Sequence, residues 1–445
     1  MKLTKLFSLL LCCVCLVSAA VPAQAQKKDK NAPATDTQPP TPYSQVRRDT
    51  LLNGLQIVTF DRPGEPLVKC DIIVRAGAMF DLTGKTGLAA LTQASLLAVN
   101  PNLKEEVASL QAKIDWGVNS DTTWFHVETP ANTFPQVFEI LARLLVVDAV
   151  RPEALKLAQQ AQLERAKAQT LTPAQQADQA FFGALYGVHP YGHNVEGDAT
   201  TIAAIKQGDV YDFFRRFYLA NNASVVISGN ISQERVMQTF KVFFGGWVKG
   251  QIVPATFRQP AQVAQVRLIK VEAPAAPNVE LRGGLISVKH TDPDFLVTEV
   301  MAKLLHARLK AEAGSLANDF SVTAHARSLA GPLWFAASAP ADKAPEFSRA
   351  ATEAFAALAA TPVAADALAA AKTSLSGEYF ARSVEHYLRE IETYQLPRSY
   401  PLTVGKKIED ITAADVQRVA KRLFDANALT VVALGKVNDT FKATP

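Results

Sequence analysis

An α+β fold built twice over is the prediction for this 445-residue sequence, each half a sheet covered by helices on one side. Three observations carry it. The segment DVYDFFRRFYLANNASVVISGN (209–230) aligns without a gap to DVQRVAKRLFDANALTVVALGK (415–436), pairing Asp209 with Asp415, Asn221 with Asn427, Val225 with Val431 and Gly229 with Gly435. Just upstream, Ile202 and Ile205 pair with Ile408 and Ile411 at the same offset of 206, which implies a duplicated domain. In both halves β-branched runs come first and helical stretches follow, and the 48% hydrophobic content suffices for ordinary globular cores.

Taken in order, the chain opens with Lys2 and Lys5, an apolar run from Leu6 to Val21, and Ala23-Gln24-Ala25. That is the pattern of a signal peptide (1–25) cleaved before Gln26, too short for a retained anchor, so the mature protein is expected outside the cytoplasm with no membrane span. Cys12, Cys13 and Cys15 fall in this segment and only Cys70 remains, which excludes an internal disulfide or a cysteine zinc site. The net charge of +4 drops to +2 once Lys2 and Lys5 are removed, and with no basic block it excludes nucleic acid as a partner. Residues 26–47, polar and proline-rich, read as a disordered linker.

The first domain is placed at 48–249. GLQIVTFDRP (54–63) and LVKCDIIVRAG (67–77) have strand composition, Gly87 opens a helix reading GLAALTQASLL (87–97), TTWFHVETP (122–130) is a further strand, and helices follow over 132–147 and 152–169. In the repeated unit Asp209 and Asp415 stand where an N-cap would, Asn ends the helix, and a β-branched run makes a buried strand. Residues 250–265, with two prolines, form the interdomain linker. The second domain (266–445) repeats the order with VRLIKVEA, VELRGGLISVKH, a helix near 293–312, strands at NDFSVTAHARS and PLWFAASAP, and an alanine-rich helical region over 343–379.

No Gly-x-Ser-x-Gly elbow or phosphate-cradling glycine loop appears, and nothing local activates Cys70. His189-Pro-Tyr-Gly-His193 places two imidazoles within five residues, but Pro190 and Gly192 make it a turn, so loop contacts are the first reading and metal ligation the second.

The stretches LLNGLQIVTFDRP, RAGAMFDLTGKTGLA, ALYGVHPYGHNVEG (184–197), TIAAIKQGDVYDFFRRFYLANNASVVISGN, TSLSGEYF and IEDITAADVQRVAKRLF together resemble the M16 (pitrilysin-like, inverzincin) metallopeptidases and the mitochondrial processing peptidase subunits. The resemblance implies tandem M16-type domains. It also implies that a peptide-cleaving member would carry H-x-x-E-H right after Gly87-Leu88-Ala89, two imidazoles on one helical face for zinc and a glutamate for its water. Here the three positions are Ala90, Gln93 and Ala94. The third zinc ligand of such members is a glutamate on a later helix, where this chain offers Glu164, read as a remnant ligand or a solvated charge beside Arg165 and Lys167. The substrate-gripping Arg and Tyr of the second half correspond to RLKAEAGSLANDFSV, with Lys310 in the arginine place and no tyrosine.

These readings give the following expectations. There are no catalytic residues and no cofactor, zinc belonging only to a partner. The protein is a periplasmic, non-catalytic subunit pairing with an active M16 zinc peptidase chain, and the strand around WGVNSDTTWFHVETP, including Asn119 and Ser120, meets extended peptides, with Arg308 and Lys310 as further substrate or partner contacts. Two alternatives stand beside this: a stand-alone peptide-binding or scaffold protein, and a metallopeptidase with relocated ligands at His189, His193 and Glu164.

Overall fold

The computed structural model describes residues 42–146, 150–254, 266–426, 429–437 and 441. The expected signal peptide (1–25), the expected linker up to Thr41, the interdomain residues 255–265 and the repeat residue Asn427 lie outside the described residues. The first half runs β1 (Val46–Thr50), β2 (Gln56–Asp61), β3 (Val68–Val74), α1 (Leu88–Leu97), α2 (Leu103–Ser109), β4 (Lys113–Val118), β5 (Thr123–Thr129), α3 (Phe134–Leu145), α4 (Pro152–Ala168), α5 (Pro173–Tyr186), α6 (Ala199–Ala204), α7 (Gln207–Phe217), β6 (Ala223–Gly229) and α8 (Gln233–Phe244). The second runs β7 (Arg267–Glu272), β8 (Val279–Ile286), α9 (Phe295–Ala313), β9 (Asp319–Ala324), β10 (Pro332–Ala339), α10 (Ala344–Ala360), α11 (Ala365–Phe380), α12 (Val384–Tyr394), α13 (Tyr400–Asp410), α14 (Ala413–Ala426) and β11 (Thr430–Gly435).

The duplication is visible in the sheets. The first has strand order β1-β2-β6-β3-β5-β4 and the second β7-β11-β8-β10-β9, the same order without an equivalent of β1. In each, one parallel pair, β2 with β6 and β7 with β11, sits in an otherwise antiparallel sheet. At both of its ends β9 stands 206 residues after β4, the offset of the self-match. The fold class is α+β, as the sequence predicts.

Two local expectations are corrected. Asp209 and Asp415 are the third helical residues of α7 and α14, not their N-caps; each carboxylate reaches back one turn to the backbone N–H of Lys206 (2.7 Å) or Thr412 (3.1 Å). Nor is each sheet covered on one side only. Every residue of the central strands β6 and β11 is buried, on both faces, so the second face also needs a cover. A helix from the opposite half supplies it: Leu388 of α12 packs on Val58, Phe60, Ile73 and Val226 of the first sheet. Phe181 and Leu185 of α5 pack on Val432 of the second, with the Phe181 ring stacked on Trp334 at 5.5 Å.

Polar contacts lock both exchanged helices. Arg282 of β8, 4% exposed, donates to Asp178 (2.5 Å) and to the Ala174 carbonyl (3.1 Å) of α5. In the other direction Arg389 of α12 meets Asp71 of β3 at 3.2 Å, Arg62 meets Glu385 at 3.0 Å, and Arg48 is bonded to Glu392. The halves are thus interleaved around helices that each belongs to one domain by sequence and to the other by packing.

Candidate functional site

Helix α1 starts at Gly87 with φ of 92°, a left-handed backbone that favours glycine. A Cβ there would stand 2.7 Å from the Glu196 carbonyl oxygen, so the loop after α5 presses directly on the helix start. Gly87 offers no side-chain cap. The carboxylate of Asp81, from the turn before, accepts instead from the N–H groups of Gly87 and Ala89, both at 2.7 Å. Burial pushes the Asp81 carboxyl up to about 7, against the pull of the Ala89, Gly87 and Leu88 N–H groups.

The helix is buried on almost every face because its residues are small or apolar. Its hydroxyls are satisfied inside it: Thr92 donates to the Leu88 carbonyl (2.8 Å) and Ser95 to the Leu91 carbonyl (2.7 Å). Gln93, 4% exposed, donates through Nε2 to the carbonyls of Gly117 in β4 (3.2 Å) and Trp124 in β5 (3.1 Å). A glutamate at this position has nothing to donate to those oxygens when ionised. Gln93→Glu is therefore expected to destabilise the protein by about 1–3 kcal/mol at neutral pH, read as a lower urea midpoint with unchanged slope; equal stability would show that the two bonds contribute nothing.

Beside Gln93 lies a cavity of about 630 Å³. Ala90, Ala94 and Leu97 form its α1 wall, Trp116 to Val118 of the edge strand β4 its second wall, α4 presents Gln162, Arg165 and Ala166, with Gln169 just after it, and Glu196 of the loop after α5 is the one carboxylate of the lining, exposed to solvent. These residues do not fit zinc: two methyl groups and an amide stand at the motif positions, and the α4 wall carries a guanidinium and amides. Glu164 is not among the lining residues; its side chain is 64% exposed and meets Lys167 at 3.1 Å. Gln162, only 2% exposed, donates to the carbonyls of Gly87 (3.2 Å) and Glu196 (2.8 Å), while its Oε1 accepts no hydrogen bond. Sequence reasoning missed Asp81, Gln162 and Arg165, and only the polar character of DLTGKT hinted at the first.

The remaining sequence candidates are dispersed. Asn119 folds its own turn, accepting from the N–H groups of Asp121 and Thr122 at 2.8 and 2.7 Å. Ser120 accepts from Arg327 of the second half (2.6 Å). Arg308 is tied to Glu312 on the outer side of α9, and Lys310 lies two residues on along the same helix. In the His189–His193 loop, Nδ1 of His189 accepts from the N–H of Tyr191 (3.2 Å), and burial lowers the His189 imidazole to about 4. The loop is a clasp: Tyr191, 3% exposed, donates to Asp121 (2.5 Å), accepts from the Leu329 N–H (3.1 Å) and lies under Arg327. Among the described residues no three His, Cys, Asp or Glu side chains converge to hold a metal ion.

A second cavity, of about 810 Å³, opens between the halves. Asp71, Asp115, Trp124 and His126 of the first sheet face Glu299, Arg382 and Arg389 of the second half across it. His126 bonds Asp71 through Nδ1 at 2.8 Å, which raises its pKa. Glu299 accepts from the Tyr379 hydroxyl (2.6 Å), yet burial pushes it up to about 7. Its folded pKa lies above the ordinary 4.5, so the folded protein holds a proton that the unfolded chain releases. Stability therefore declines as pH rises from about 4.5 to about 7 and is flat above, with Asp81 acting in the same sense. Glu299→Gln keeps an acceptor for Tyr379 and is expected to remove a decline of the order of 3 kcal/mol across that window, measured by urea unfolding at several pH values. A slope unchanged by the substitution would contradict this.

Comparison with known proteins agrees with this geometry. The family described as "Peptidase M16 inactive domain" matches residues 204–375. A protein named "Zinc protease PqqE" from Helicobacter pylori is 24% identical over 206 residues, 44% of this chain and 46% of that one. The chain spans about half the length of the curated relatives it matches. A crystal structure of a peptidase M16 inactive domain from Pseudomonas fluorescens superposes with a TM-score of 0.77 at 18% identity, covering 90% of this chain and all of that one. A chain of Complex III2 from Candida albicans does so with a TM-score of 0.76 at 13% identity, covering 89% and 98%. Residues 204–375 thus match the M16 inactive-domain family, and the duplicated α+β fold, with Ala90, Gln93 and Ala94 on its first long helix, is the fold of M16 proteins.

Proposed function

We propose that the protein is an exported, non-catalytic M16 subunit that pairs with an active zinc M16 peptidase chain and supplies part of the wall of its peptide-binding chamber. One observation carries the reading. The motif helix is kept in register against β4 and β5, while its chemistry is replaced by methyl groups and by an amide bonded to strand carbonyls. A chain retaining the helix for architecture alone is useful where another chain brings the metal. The Complex III2 neighbour, a chain within an assembly, supports a subunit role for this fold. Residues 1–25 support export, to the periplasm in a Gram-negative cell.

The test is reconstitution. The purified mature protein, mixed with an M16 chain from the same organism that carries an intact H-x-x-E-H, is expected to form a two-chain particle by light scattering and to raise peptide hydrolysis above that of the active chain alone. A protein that stays monomeric beside every such chain would sink the proposal. The 810 Å³ inter-half cavity favours one alternative, a stand-alone peptide-binding protein; that version binds peptides with no zinc chain present.

A further inference from the structure

Where the chain leaves its first half, the surface carries an apolar groove of about 870 Å³. Phe214, Leu219, Trp247 and Val253 wall it, and the only charges that line it are Arg215 and Arg216 of α7. Neither guanidinium has a carboxylate partner among the described residues; Asp212, one turn earlier on α7, is exposed and meets neither. The rim is pinned by hydrogen bonds. The Val248 carbonyl accepts from the Ala220 N–H (2.9 Å), and the Asn221 side chain brackets Gly250, donating to its carbonyl (2.8 Å) and accepting from its N–H (3.1 Å). At the turn between β1 and β2, Asn53 donates to the carbonyls of Phe244 (2.8 Å) and Trp247 (3.1 Å), and a Cβ on Gly54 would stand 2.7 Å from that of Asn221. On this fixed frame Leu52 is fully exposed, Val248 62% and Ile252 43% exposed, with Lys249 exposed and unpaired beside them. A single exposed aliphatic side chain is ordinary; three beside unpaired cations at an apolar groove call for a partner.

We propose that this end of the molecule seats on an anionic phospholipid membrane. Leu52, Val248 and Ile252 enter the acyl boundary, Arg215, Arg216 and Lys249 meet headgroup phosphates, and the groove receives an acyl chain. The charge pattern selects this occupant: the cations here are unpaired, no carboxylate lines the groove, and apolar volume lies directly behind them. An amphiphile with an anionic head matches both parts at once. The protein then lies on the membrane without crossing it, and the contact does not depend on pairing with another chain.

The experiment is co-sedimentation of the full mature chain with vesicles of equal parts phosphatidylcholine and phosphatidylglycerol, against vesicles of phosphatidylcholine alone. Binding to the anionic vesicles is expected to be about tenfold tighter or more, and to fall as salt is raised. Arg215→Gln with Arg216→Gln should remove that preference. Leu52→Ser, Val248→Ser and Ile252→Ser together should weaken binding to the anionic vesicles by about tenfold or more, with circular dichroism unchanged because these side chains face water. Equal binding to both vesicles, no binding, or a preference untouched by the arginine substitutions would overturn the proposal. Three other outcomes would assign the face to a different occupant and equally overturn it. Vesicle binding that emerges only after residues 255–265 are replaced by a glycine-serine linker would give the groove to the chain's own segment. A concentration-dependent dimer lost with the triple serine variant would give it to a second copy, and pairing with an active M16 chain lost with that variant would give it to the partner.

Discussion

A chain carrying Ala90→His, Gln93→Glu and Ala94→His together is expected to bind zinc at least about a hundredfold more weakly than the same chain with Arg165→Glu added. Imidazoles at positions 90 and 94 lie one turn apart on α1 and face the cavity, so the three substitutions supply two ligands. A catalytic zinc site of this type needs three from the protein. Across the cavity α4 offers Gln162, Arg165 and Ala166, none of them an anionic ligand, the lining carboxylate Glu196 is on the exposed loop after α5 and not on this wall, and the guanidinium repels a divalent cation. Replacing Arg165 by glutamate removes the repulsion and provides the third ligand from the wall that faces α1. Competitive zinc titration of both variants, with circular dichroism to verify folding, reads the difference. Equal and tight binding would mean that another side chain completes the site and that the α4 wall has been misassigned.

The second large effect concerns the interleaving of the halves. Arg282→Ala is expected to destabilise the protein by about 3–5 kcal/mol. The guanidinium is buried, with a side chain only 5% exposed, and it also donates to its own Leu281 carbonyl (2.9 Å) while tying β8 to Asp178 and Ala174 of α5. Its removal strands buried carbonyl oxygens and detaches the helix that covers this sheet. The reciprocal link, Arg389 to Asp71, is of a different kind. Arg389 is 41% exposed, water screens the pair, and Arg389→Ala should cost less than about 1 kcal/mol. Urea unfolding of both variants tests the contrast; similar losses at the two positions would show that burial does not govern these contacts.

How much of this was legible beforehand follows from the kind of information each feature needs. The duplication and the succession of strands and helices along each half are periodic, and the constant offset of 206 residues exposes them without any knowledge of packing, whereas the order of strands within each sheet is not written in the sequence. The motif positions on α1 were equally readable, since Gly87-Leu88-Ala89 sets the register. The exchange of α5 and α12 was not. An apolar helix face shows that a helix covers something, and both sheets offered similar β-branched surfaces. The Asp81 cap crosses a turn to reach its N–H groups, a link with no spacing rule. On α4 a step of one residue rotates a side chain by about 100°, which separates the cavity-lining Arg165 from the solvent-facing Glu164. The role of Gln93 required knowing that β4 and β5 turn two carbonyls toward it.

The central claim is that this chain holds its place in an M16 assembly without chemistry of its own. The most direct measurement is the native mass of the tagged protein recovered from its own cells, with zinc counted and peptide hydrolysis assayed on the same fractions. The account predicts a particle of two M16 chains with about one zinc, which belongs to the partner and whose activity vanishes when the partner's H-x-x-E-H is substituted. A lone chain that carries stoichiometric zinc and cleaves peptides would contradict it.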